Sequence, residues 1–170
     1  MGFLNKSNTQ PNSLINDERL RNILEDVPVL LRHFGSDDLR SFLNTGTLQE
    51  YPAGEVLYSE QQGEIDSGWL IVSGSIALTK HNELLEVTHP GDFLGETFLF
   101  PSGPPLTTAK VQEDAAVIQF ERTRALDFFK KGPERLLMRF IRNLLESQRI
   151  KVEQLYIKQI QLTRANSGEA

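Results

Sequence analysis

The chain has 170 residues, 39% of them apolar and 24% charged, which suffices to bury one hydrophobic core and is unlike a disordered segment. It contains no cysteine, which excludes disulfides, thiolate-held zinc and a cysteine nucleophile. The net charge of -5 is unevenly spread: residues 41–121 hold 12 carboxylates against Lys80 and Lys110 and no arginine, whereas residues 122–170 hold 11 basic and five acidic side chains.

Residues 1–15 are rich in Asn and Ser, contain Pro11, and read as a loose lead-in. They hold no apolar stretch of signal-peptide length, and Lys6 stands where a myristoylation signal needs Ser or Thr. No apolar run is long enough to span a bilayer. A cytoplasmic protein with no membrane partner is expected. Asp17–Leu24 is predicted helical, and a second helix starts at Ser36, with Asp37 and Asp38 in its first turn and Leu39, Phe42 and Leu43 as its apolar stripe.

From about residue 46 the texture changes to short β-type runs separated by turn residues. The predicted strands are Thr47–Tyr51, Val56–Ser59, Trp69–Val72, Ser75–Lys80, Leu84–His89, Thr107–Gln112 and Ala116–Glu121, which indicates an antiparallel roll or sandwich. Arg122–Lys131 is a short helix stopped by Gly132 and Pro133. Pro133 then opens a helix running to about Thr163. On it, Ile141, Leu145, Gln148, Val152, Leu155, Gln159 and Leu162 alternate steps of four and three, the spacing of a coiled-coil seam. Leu137, Phe140 and Leu144 form a second stripe able to cover the roll.

Four segments, taken in order, carry a resemblance. They are Tyr51-Pro52-Ala53-Gly54-Glu55-Val56-Leu57-Tyr58, the strand and glycine turn Leu70-Ile71-Val72-Ser73-Gly74-Ser75-Ile76, Pro90-Gly91-Asp92-Phe93-Leu94-Gly95-Glu96, and Thr108-Ala109-Lys110-Val111. With helices on either side, this order resembles the cyclic-nucleotide-binding domain family of catabolite-activator-type regulators and kinase regulatory subunits. The resemblance covers residues 16–150, with 151–170 as the end of the last helix and a tail. It implies a mainly β fold with flanking helices: an antiparallel β-roll of the double-stranded β-helix or jelly-roll type, with N-terminal helices and a long C-terminal helix.

The resemblance also implies a phosphate-binding cassette from Gly95 to Ala109. In the family the glycine begins a short helix whose N–H groups face the cyclic phosphate, the glutamate holds the ribose 2′-hydroxyl, and an arginine before a Ser/Thr-Ala pair neutralises the phosphate. Gly95, Glu96, Thr108 and Ala109 match, but the arginine position falls on Thr107, or on Pro105 or Leu106 under another placement of the loop, and none is basic. The nearby Lys110 should point to the opposite face of its strand from Thr107. Loss of a charge-assisted phosphate contact costs about 1.5–3 kcal/mol, and the acidic roll adds repulsion. Glu96 can alternatively serve as an acceptor for backbone N–H groups at the start of the cassette.

His33, His81 and His89 lack the spacing of a metal site, and no nucleophile elbow or Walker-type loop occurs, so neither an enzyme nor a metal protein is expected. The basic residues of the last helix are interleaved with Glu134, Glu146 and Glu153, and few residues remain for a helix-turn-helix beyond it, so no DNA contact is expected. The reading is a non-enzymatic regulatory or interaction module without a cofactor, homodimeric through the C-terminal helix, with a further protein partner. The alternative is a genuine cyclic AMP or cyclic GMP sensor with an altered phosphate contact.

Overall fold

A computed structural model of the chain describes residues 18–100 and 103–167. The lead-in expected over residues 1–15 lies outside the described residues. In chain order the elements are α1 (Glu18–Glu25), a 3-10 turn (Val29–Leu31), α2 (Ser36–Leu43), β1 (Thr47–Tyr51), β2 (Val56–Tyr58), β3 (Ser67–Lys80), β4 (Glu83–Thr88), β5 (Phe93–Leu94), β6 (Thr108–Glu121), α3 (Arg122–Lys131) and α4 (Glu134–Ser167). All strand pairs are antiparallel, in the order β1-β6-β3-β4, with β2 also on β6 and β5 on β3. This is the expected mainly β roll with flanking helices.

Where two short strands were predicted on each side of a break, the structure has one long bent strand of 14 residues, β3 and again β6. The break at Ser73-Gly74-Ser75 is a run of register shifts inside β3, not a hairpin. Gly74 has φ +81, and a Cβ there would lie 2.3 Å from the Asp114 carbonyl oxygen, so a close backbone approach rather than a chain reversal requires the glycine. The chain reverses instead at His81 and Asn82, both at positive φ, which join β3 to β4 as a two-residue turn.

Along β3, Trp69, Leu70, Ile71 and Val72 are all buried because both faces of the strand are covered. Leu70 and Val72 join a cluster with Ala116, Ile118 and Phe120 of β6 and with Leu20, Phe42, Phe129 and Phe140 of the helices. Trp69 and Ile71 point the other way, into the lumen of the roll, with Tyr58, Leu94, Ala109, Val111 and Val117.

α4 docks on the helix-covered side through Leu136, Phe140 and Leu144, while Leu137 is only half-buried. The stripe therefore begins one residue earlier than the sequence suggested. Buried Asn143 fixes its position, donating through Nδ2 to the carbonyls of Leu30 at 3.1 Å and Arg32 at 2.7 Å. Arg139 donates to the carbonyl of His33. From Val152 to Asn166 every side chain is exposed. Among the described residues no helix is long and apolar enough to cross a membrane.

Candidate functional site

The cassette hangs from the edge of the roll by β5, which pairs with Trp69 and Leu70. Gly91 N–H donates to Ile71 C=O at 2.9 Å, and Ile71 N–H donates to Asp92 C=O at 3.0 Å. Gly95 follows at φ +66, and a Cβ on it would meet the Ser67 carbonyl oxygen at 2.9 Å and the Trp69 ring at 3.2 Å. Both the left-handed backbone and the close approach demand glycine here.

Residues 96–100 form two turns, closed by Phe98 N–H to Gly95 C=O at 2.9 Å and Phe100 N–H to Thr97 C=O at 2.7 Å, and not the helix that the resemblance implied. Adjacent Phe98 and Leu99 are both buried and draw the segment onto the core. Arg122, the first residue of α3, pins it from outside: Nε donates to Phe98 C=O at 2.6 Å, and Nη2 donates to Ile65 C=O. Among the described residues of the cassette, no row of helix N-terminal amides faces the lumen.

Glu96 is 8% exposed, and its carboxylate accepts a hydrogen bond from the Lys151 ammonium of α4, forming an ion pair across 55 residues of chain. The Lys151 side chain is 43% exposed, so the pair sits at the rim of the cassette rather than deep inside it. Neither role considered for Glu96 from sequence, ribose contact or acceptor of backbone amides, involved this lysine.

Thr107 stands at the arginine position, half-buried and without a charge. Burial pushes the Tyr58 hydroxyl up to about 12, polar Thr107 opposes the rise, and the charge of Glu96 adds to it. Tyr58 thus lies within the influence of both Thr107 and Glu96, and it stacks on Trp69 with centroids 5.3 Å apart. Burial also raises the Tyr51 hydroxyl, with the charge of Glu55 as a further cause.

Thr108 and Ala109 do not converge on Glu96. The Thr108 hydroxyl accepts the Glu60 N–H at 3.1 Å, which ties down the loop after β2. Ala109 is fully buried in the lumen cluster, and Lys110, next along β6, is exposed. Lys80 donates to the Leu106 carbonyl at 2.9 Å.

Between the cassette, β4, the 3-10 turn and α4 lies a cavity of about 100 Å³, lined by Leu30, Glu86, Asp92, Glu96, Ser147 and Lys151 among others. A wider cleft of about 570 Å³ opens between α1 and the roll, lined by Arg19, Asn22, Asp26, Arg32 and Asp92 among others. Among the described residues no group of three or more His, Cys, Asp or Glu could hold a metal ion.

Sequence reasoning missed Lys151, although its position was readable. Phe140, Leu144, Ser147, Lys151 and Lys158 follow one another by helical steps on the face that covers the roll. Lys158 also reaches the roll, donating to the Leu85 carbonyl at 3.3 Å. A covering stripe that turns basic over a roll with 12 carboxylates is the sign that was available.

Residues 48–131 match the family model described as cyclic nucleotide-binding domain. No curated protein matches the chain. Among solved structures, a cyclic nucleotide-binding domain from Methylobacillus flagellatus is 15% identical with a TM-score of 0.68, covering 91% of this chain and 88% of that one. The Thermus thermophilus catabolite activator protein is 22% identical with a TM-score of 0.61, covering 78% of this chain and 63% of its own. A cyclic nucleotide-binding-like protein from Brucella abortus is 27% identical with a TM-score of 0.57, covering 68% of this chain and all of its own.

Proposed function

The chain belongs, through residues 48–131, to the cyclic nucleotide-binding domain family, and on that premise we propose that it is a non-enzymatic regulatory module whose cassette does not hold a cyclic nucleotide. The observation that carries this reading is the Glu96–Lys151 pair: the cassette carboxylate is engaged by the chain's own helix. The charge beside the pair supports it, because the adjoining cavity is lined by Glu86, Asp92 and Glu96 with Lys151 as its cation. So does Thr107, which offers a phosphate a hydroxyl where a guanidinium would be needed.

The module acts in the cytoplasm through protein contacts, and the fully exposed stretch of α4 from Val152 onward is the surface for them. A second copy of the chain is the first partner, since the seam residues Leu145, Val152, Leu155 and Leu162 all lie exposed along α4. The interleaved charges of this helix speak for protein rather than DNA contacts.

A second reading has one observation in its favour. Lys151 already brings a cation to the cassette and could turn from Glu96 to a phosphate, giving a cyclic nucleotide sensor with an altered contact. Calorimetry with cyclic AMP and cyclic GMP separates the two. The first reading expects no heat at ligand concentrations of about 100 μM, where a ligand at 100 times its Kd would add about 2.7 kcal/mol of stability. Thr107→Arg should then create or raise cyclic AMP affinity by roughly one to two decades through one charge-assisted contact, provided Lys151 yields. Clear binding by the unaltered chain would sink the first reading.

A further inference from the structure

The cavity beside Glu96 holds a chemical preference beyond its lack of an arginine. Its charged lining consists of Glu86, Asp92, Glu96 and Lys151, so among the described residues the cation that faces it comes from α4 and everything else charged is a carboxylate. Glu96 is buried, and an isolated buried carboxylate is strongly disfavoured unless a cation and hydrogen-bond donors meet it. The cassette meets that need with a primary ammonium on a flexible four-carbon stem, delivered by a helix that is rigidly docked two turns earlier through Asn143 and Leu144.

We propose that the Lys151 ammonium is the resident ligand of the cassette, held in cis on Glu96, and that the cassette is selective for a primary ammonium over a cyclic phosphate. The inference rests on the first reading of the function and names the class of molecule that can compete for the site. Three features agree on that class. The cavity beside the pair, about 100 Å³, is large enough for an ammonium head with a short alkyl stem. The carboxylates would repel an anion once Lys151 leaves, in a roll already rich in acid. The turns at residues 96–100 present no helix N-terminus that would favour an anion. Because Lys151 is tethered, its effective concentration is in the millimolar range or above, so a competitor must bring more than one ammonium contact to displace it.

Chemical rescue on the full chain tests this. Lys151→Ala should lower the melting temperature by about 2–6 °C, by leaving Glu96 unpaired. Adding n-butylammonium chloride on the order of tens of millimolar should recover part of that loss, a concentration fitting a single charge-assisted pair. Tetramethylammonium chloride at equal ionic strength should not, because it carries charge without an N–H donor. The unaltered chain should respond to neither, and Lys151→Ala combined with Glu96→Gln should lose the rescue. Lys151→Met, which keeps most of the stem, serves in the same titration if the alanine variant does not fold. Equal responses to both ammonium salts, rescue that survives Glu96→Gln, or no rescue of a folded variant would each overturn the inference while leaving the proposed function standing. Cyclic AMP binding to the Lys151→Ala protein would overturn both.

Discussion

On the helix-covered face of the sheet the rings are phenylalanines. Phe42 stands at their centre, with Phe34, Phe120, Phe128, Phe129 and Phe140 at centroid separations of 4.9–6.0 Å. On the lumen face the rings are Tyr58, Trp69 and half-buried Tyr51, each with a polar tip. Alternate residues of the same two strands serve both faces, so the difference lies in what each face must do. The phenylalanine face buries chiefly hydrocarbon, with Asn143 hydrogen-bonded beside it, and therefore carries stability. The lumen keeps the Tyr58 hydroxyl within the influence of the Glu96 charge, and its energetics depend on charge and protonation.

The largest effect should come from the helix-covered face. Phe42→Ala removes a fully buried ring that touches five others, and should cost about 3–5 kcal/mol of a total near 5–15 kcal/mol. Leu155→Ala, at a position 65% exposed, should change the stability of the roll by less than about 0.5 kcal/mol when read at protein concentrations low enough to keep the chain monomeric. Urea unfolding checks both. A Phe42→Ala protein within about 1 kcal/mol of the unaltered chain would break the comparison, because the cluster would then not be the seat of stability.

A smaller effect sharpens the lumen side. Folding raises the Tyr58 hydroxyl from 10.0 to about 12, chiefly through burial. The folded chain therefore keeps this proton where the unfolded chain has lost it. The stabilisation is fully present below pH 10 and is lost as pH rises from 10 toward about 12, at roughly 1.4 kcal/mol per pH unit for this one group. Tyr58→Phe should flatten the fall of melting temperature over that window, relative to the unaltered chain. If the two alkaline profiles are parallel, Tyr58 does not titrate as its burial demands.

Much of this division was legible in the sequence. The run Trp69-Leu70-Ile71-Val72 was read as a strand, and the limits of β1 and α3 were read correctly because turn and cap residues mark them. β3 and β6 were each read as two strands because Gly74 and the polar residues Glu113 and Asp114 resemble turns locally, and only their pairing across the sheet keeps both strands continuous. The missing arginine could be read because it is a matter of residue identity. The Glu96–Lys151 pair was not found, because it joins two elements far apart in the chain and follows from how α4 docks, which Asn143 and Leu136 decide.

The smallest effect on the roll itself should come from the far end of α4, which belongs to neither cluster. A chain shortened to end at Glu153 keeps Lys151 on Glu96 and removes Leu155, Tyr156, Ile157, Ile160 and Leu162, all exposed. Its monomeric roll should unfold within about 0.5 kcal/mol of the full chain, since surface residues away from packed features contribute little. Its assembly should change outright. So many exposed apolar side chains on one helix are not stable alone in water, and their four-three spacing suits a second copy, with Gln148 and Gln159 meeting in the seam at some loss of stability. Light scattering should find the full chain at twice its 19.3 kDa and the shortened chain as a monomer. The melting temperature of the full chain should also rise with protein concentration, as it must when association stabilises the fold, while that of the shortened chain should not. A full chain that scatters as a monomer on the order of tens of micromolar would remove dimerisation from the proposed function and assign the exposed face to a different protein partner.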